Sequence, residues 1–380
     1  MNNNSRIKTL DSLRGLAALT VVIAHVAGTL VKGHTFDEYT PLYLFRAAHE
    51  SVIFFFLLSG YVLTYQVYKQ NYFNYKEFIF QRFFRIYIPY LIIIIITFIL
   101  FFFFHGKSFN SVDKNIVWGR PLTFNMLKDH FLLIGNFNTN EFNPVIWSLV
   151  HEFRVAIIFP ILLFIISFRW KNVILISLSI SFIANLVITF NLFSSEGYNN
   201  SYIYTLHYFS IFIIGALLAK HSSHLIDLYL SLTRKRQLVI FIFLLMVFNY
   251  SRMLFLIPHK LKLEKISLFN EIIADWFTAF SASYFIIMAI QIKDNKHWLL
   301  STFPLKLGKI SYSLYLIHVP IMLSFFYSLL NFNKIAVILL SVIISIVLAF
   351  ISSNYIEKPS ALFGKRLVFS KMKTFFKLEK

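Results

Sequence analysis

The chain has 380 residues, of which 58% are hydrophobic and only 14% charged, with a formal charge of +19. Soluble domains carry about 25% charged residues, so this composition excludes an ordinary water-soluble enzyme and a disordered chain. Cysteine is absent, which excludes disulfides, thiolate metal sites and a cysteine nucleophile.

Apolar windows of about 20 residues fall at 10–31, 49–66, 86–105, 144–167, 173–191, 204–220, 237–257, 273–292, 310–330 and 335–356. They predict an all-α polytopic membrane protein with about ten transmembrane helices. The first window opens with Asp11 and Arg14 and lacks a small-x-small cleavage site, so it reads as a retained span and not a secretory signal. Placing the N-terminus inside puts 24 Lys and Arg in cytoplasmic segments against 11 outside, with Arg154 left within a span. That bias predicts both termini in the cytoplasm. The turn after span seven works against it, since it sets Lys260, Lys262 and Lys265 outside. The longest connection, 106–143, faces outward and holds Trp118, Gly119, Arg120 and Pro121. Residues 1–360 read as one membrane domain and 361–380 as a basic cytoplasmic tail. The cation excess is thus a matter of topology. No basic stripe sits on a soluble module, so nucleic acid is not an expected partner.

Ionisable side chains inside spans are costly, which makes each a functional candidate. In span one, Arg14 and His25 are eleven residues apart, three helical turns plus about 20°. They share one face, about 16 Å apart along the axis. Asp11, one turn before Arg14, can hold its guanidinium. Arg14 taken alone is better explained by topology, and His25 equally by a hydrogen bond to a neighbouring helix; their shared face favours a joint functional role. Histidine is also the side chain suited to take a proton near neutral pH.

Arg82 and Arg85, at i and i+3 before span three, face one way and could grip phosphate bidentately or merely mark the cytoplasmic side. Glu152, in the run Trp147 to Arg154 that opens span four from outside, needs a partner. Arg154 is a poor one, because i and i+2 point apart. In span nine, Tyr312, Tyr315 and His318 recur every three residues. They line a polar groove or supply helix-packing hydroxyls.

These places resemble the acyltransferase-3 family of integral-membrane O-acyltransferases. The resemblance rests on Leu10 to Gly15 with His25, Phe54 to Ser59-Gly60, and Arg82-Phe83-Phe84-Arg85 with Ile86 and Pro89. It continues through Trp147-Ser148-Leu149 with Glu152 and Pro160, Ser311 to Pro320 including His318, and Tyr355 to Pro359. It covers about residues 8–360. The chain departs from the family at Ser51-Val52-Ile53, where Gly-Val-Asp is usual, and at Val155-Ala156, where an aromatic pair is usual; His151 and Arg154 are atypical too.

The resemblance implies a multi-pass enzyme of the bacterial cytoplasmic (inner) membrane. Such an enzyme moves an acyl group, acetyl above all, from cytoplasmic acyl-CoA to a hydroxyl of a cell-surface glycan such as O-antigen, capsule or exopolysaccharide. Acetyl-CoA is then a donor substrate, with no tightly bound cofactor and no metal, and the acceptor is a glycan or lipid-linked glycan. Arg14, Arg82 and Arg85 would hold the donor phosphates. His25 would be the base or acyl carrier and Glu152 would position the acceptor. Asp11, Ser59, Trp147, Tyr312 and His318 would support them. The rival reading is a proton-coupled transporter of a small anion or glycan unit, and a third is a non-catalytic scaffold.

Overall fold

The computed structural model describes residues 7–30, 47–104, 117–118, 123–193, 200–292, 294, 296–329 and 332–367. Arg6, Gly119, Arg120, Pro121 and the tail cations beyond Leu367 lie outside the described residues. Among the described residues every regular element is helical. In chain order these are α1 (Lys8–Leu30), α2 (Ala48–Gln70), α3 (Tyr75–Arg82), a π turn (Phe83–Tyr87), α4 (Ile88–Phe104) and α5 (Phe124–Leu132). Then come α6 (Ile146–Ile157), α7 (Phe159–Ser167), α8 (Trp170–Thr189), α9 (Tyr202–Lys220) and α10 (Ser222–Ser231). The last are α11 (Arg234–Tyr250), α12 (Met253–Lys260), α13 (Glu264–Ile290), α14 (Thr302–Ser328), α15 (Lys334–Ser352) and a second π turn (Ser353–Glu357).

Nine helices among the described residues are long and apolar enough to cross a bilayer, or ten if one bent pair counts as a span. The chain is a multi-pass, all-α membrane protein. Large apolar side chains such as Phe102, Phe164, Phe243 and Leu339 point outward, as a surface solvated by lipid requires.

Short polar residues start the helices. Asn74 accepts the Glu77 N–H, Thr123 that of Met126, Ser201 that of Tyr204 and Thr233 that of Arg236. Each satisfies an amide with no partner inside its helix, worth about 1 kcal/mol.

Prolines reshape the spans. The expected fourth span is two helices, α6 and α7, bent by 64° at Ile158. Pro160 explains the break, since it offers no N–H to the carbonyl four residues back and its ring crowds that carbonyl. Pro89 and Pro359 do something gentler. Ile88 N–H bonds to Phe83 O, and Lys358 N–H to Ser353 O, each five residues back. In both cases the next residue is the proline. A helix that must release one carbonyl before a proline can widen into a π turn just ahead of it.

The helices gather into two compact units. The first comprises residues 1–72 and 158–309, the second 73–157 and 310–380. In the first, α2 and α9 pack backbone to backbone. A Cβ on Gly60 would lie 2.1 Å from Phe212 O, and one on Gly215 2.0 Å from Leu57 O. Only glycine permits this approach. Phe56 fills the same seam, its ring 4.8 Å from Tyr208 and 5.4 Å from Phe212.

The second unit has an aromatic core of Tyr90, Phe101, Trp118 and Phe142 with Ile146 and Leu316. Trp118, expected in an outward loop, is buried in this core and donates its indole N–H to Phe142 O at 2.9 Å. Its ring stacks on Tyr327, whose hydroxyl bonds to Val117 O.

Candidate active site

In the first unit, α1 runs unbroken from Lys8 to Leu30. The eleven-residue interval therefore keeps Arg14 and His25 on one helical face. Arg14 Nη1 meets Asp11 Oδ1 at 3.5 Å, as the spacing predicts. Ser12 is buried and anchors this end of the helix by donating to Leu299 O at 2.5 Å. His25 Nδ1 is 2.9 Å from Val21 O. A carbonyl can only accept, so the ring proton sits on Nδ1 and Nε2 carries the basic lone pair. Ser59 is half-buried on α2, beside the Gly60 contact.

In the second unit, Glu152 finds its partner in Arg82, with Oε1 3.6 Å from Nη1. The sequence set these two residues on opposite sides of the membrane, and the structure pairs them. α6 is a separate 12-residue rod, bent by 64° from α7, so position counted along one straight span does not fix what Glu152 meets. The Arg82 guanidinium also lies over the Phe78 ring at 5.6 Å. Arg154, as expected, does not serve Glu152. It donates to Ile134 O at 2.9 Å and to Gly135 O at 2.7 Å, tying down the segment after α5.

Arg85 lies in the first π turn with an exposed side chain. The carbonyl of its neighbour Ile86 accepts the Tyr312 hydroxyl at 2.7 Å. Tyr315 donates to Val145 O at 2.9 Å and lies 2.6 Å from Ser148 Oγ. These two tyrosines therefore spend their hydroxyls bracing helices, which favours the packing reading over an open groove. Ser313 donates to Glu357 Oε2 at 3.0 Å, joining α14 to the second π turn. His318 is buried, with Nδ1 3.1 Å from Leu314 O. Trp147 meets His151 edge-on at 5.9 Å.

Residues 7–354 match the family model described as an acyltransferase domain, the acyltransferase-3 type. The chain belongs to the acyltransferase-3 family. Neither a curated relative nor a solved structure matches the acyltransferase.

The acyltransferase also buries a charged network that sequence reasoning missed. On α13, Asp275 Oδ1 lies 2.7 Å from His49 Nε2 of α2, and Oδ2 lies 3.1 Å from His207 Nε2 of α9. One turn earlier, Glu271 binds Arg252 at 3.2 Å and accepts the Tyr204 hydroxyl at 3.0 Å. Both carboxylates are at most 2% exposed. A signal was present. Asp275 and His207 fall inside expected spans, where any charge is a candidate. Glu271 escaped because the apolar window begins at 273, whereas α13 begins at Glu264.

Proposed function

We propose that this membrane acyltransferase takes an acetyl group from cytoplasmic acetyl-CoA and places it on a sugar hydroxyl of a bacterial cell-surface glycan. The observation that carries the reading is the geometry of α1. One uninterrupted helix face bears a guanidinium held by Asp11 and, about 16 Å further along, an imidazole whose Nδ1 proton is committed to Val21 O. That locks the basic nitrogen, Nε2, away from its own backbone.

In the proposed reaction His25 Nε2 takes the proton of the acceptor hydroxyl. The oxygen bonds to the thioester carbonyl carbon, the C–S bond breaks, and the departing thiolate receives the proton from His25. A covalent variant passes the acyl group through Nε2 itself. Arg14 grips donor phosphate at the other end of the same face, with the extended arm of the donor lying along the helix. The second unit has phosphate candidates of its own in Arg85 and in Arg82, which Glu152 orients. Arginine suits this task because its fork matches phosphate oxygens two at a time.

The test is transfer of labelled acetyl from acetyl-CoA to glycan by the purified protein in lipid. General-base help contributes about 10²–10⁴ in rate, so His25→Ala should lose that much while inserting normally. Transfer at the wild-type rate by that variant would sink the reading. Counterflow of a small anion without any transfer would favour a transporter. Mass spectrometry of surface glycans with and without the gene identifies the acceptor and the acyl group.

A further inference from the structure

The buried network of the first unit reaches a cavity. Between α8 and α13 lies a cleft of about 380 Å³, within the roughly 300–1,000 Å³ of small-molecule sites. Its wall is mostly apolar, with Leu178, Phe182, Phe269 and Ile272 among the lining residues, and Ser179, Ser181, Asn185 and Trp276 line it too. Ser181 is the residue through which the network meets this space.

The hydrogen bonds around Ser181 have a single consistent direction. Asp275 can only accept, so His207 Nε2 donates to Oδ2 at 3.1 Å and His49 Nε2 donates to Oδ1 at 2.7 Å. His207 then carries its proton on Nε2 and its lone pair on Nδ1. Nδ1 lies 2.9 Å from Ser181 Oγ, so the hydroxyl donates to it. Trp276 Nε1 donates to the same Oγ at 2.8 Å. A hydroxyl on a basic nitrogen, with the far nitrogen held by a buried carboxylate, is the arrangement that activates a serine as nucleophile. The sequence marks His207 and Asp275 as ionisable residues inside spans but not their meeting with Ser181, because the three come from different helices.

We infer that Ser181 is a nucleophile with His207 as its base, and that the cleft takes the ester or thioester of an apolar acyl chain. Asp275 and His49 act as positioning residues through His207. In the first step Ser181 Oγ bonds to the acyl carbonyl carbon and its proton passes to His207 Nδ1. The alcohol or thiol leaves with that proton. In the second step water or an alcohol attacks the acyl-serine, giving its proton to His207, which returns one to Ser181 Oγ. The apolar wall binds the chain, and the Trp276 N–H stands beside the oxygen that changes its bonding. This centre shares no residue with the α1 site.

The test is labelling of the full-length protein in nanodiscs with alkyl fluorophosphonates, read by peptide mass spectrometry. Activation predicts a phosphonyl adduct on Ser181, formed faster by an octyl than by a methyl probe. The adduct should be absent in Ser181→Ala and about 10²-fold slower to form in folded His207→Gln. Should His207→Gln fail to fold, the wild-type site of modification and its chain-length preference decide. No adduct on Ser181 of the wild-type chain, no preference for the longer probe, or an undiminished rate in folded His207→Gln would each overturn the inference.

Discussion

Two single side chains make separable tests. Glu152 holds Arg82 at 3.6 Å, with both side chains largely shielded. Replacing the carboxylate by an amide keeps the shape and removes the charge. A partly exposed pair of this kind contributes up to about 1 kcal/mol. Glu152→Gln should therefore raise the KM for acetyl-CoA about fivefold, with helical content unchanged by circular dichroism. An unchanged KM would detach the pair from donor binding. His130 offers a test by pH. It lies on α5, outside the candidate spans, packed edge-on against Phe137 and Phe142. Burial lowers its pKa from 6.5 to about 4, opposed more weakly by its bond to Met126 O and by Asp129. The unfolded segment then binds the proton more readily than the folded one between those values. Stability is complete above about pH 6.5 and falls as pH drops towards 4, by on the order of 3 kcal/mol below that point. Hydrogen exchange at residues 124–132 should accelerate across that window, and His130→Gln should flatten the response.

At the scale of elements, the α2–α9 seam and the π turns make the predictions. The space at Gly60 is filled by the Phe212 backbone. Gly60→Ala must push the helices apart, an overpacking cost of about 1–3 kcal/mol. Thermal unfolding in detergent should show a lowered Tm for Gly60→Ala. Gly135→Ala, whose new methyl would meet nothing closer than 3.8 Å, should leave Tm unchanged. Pro89 acts on geometry more than on stability. Pro89→Ala restores an N–H four residues after Arg85 and lets the wide turn close to an α-turn. Closing it turns the preceding segment by about 100°, carrying Arg82 away from Glu152. The expected outcome is loss of donor affinity in a chain that remains folded, measured as a raised KM for acetyl-CoA.

For the whole molecule, the testable statement is its orientation. The chain contains no cysteine, so single-cysteine variants report topology without background. Lys262 sits exposed at the turn between α12 and α13, and Arg234 opens α11. With both termini inside, Lys262→Cys should react with an impermeant maleimide in intact cells, and Arg234→Cys only after permeabilisation. The reverse pattern would invert the assignment of the donor side, since it would place Arg14 and the acetyl-CoA pool across the membrane from each other.

The sequence by itself determined the class of molecule and most of its spans. A bilayer imposes a length and an apolar composition that can be counted residue by residue. It also determined that Asp11, Arg14 and His25 share a face, because an unbroken helix fixes relations at 3, 4 and 11 residues. Six short motifs in order were enough to name the family. Everything that depends on two elements meeting was left to the tertiary structure. The partner of Glu152 is Arg82, seventy residues away on α3, and no spacing within α6 points to it. That Tyr312 and Tyr315 donate to the carbonyls of Ile86 and Val145 could not be read from their spacing, because those carbonyls lie on other segments of the chain. His49, Ser181, His207 and Asp275 come from four helices with no common period, and only packing gathers them around one carboxylate. Periodicity governs what a helix presents, while long-range packing decides what it presents it to.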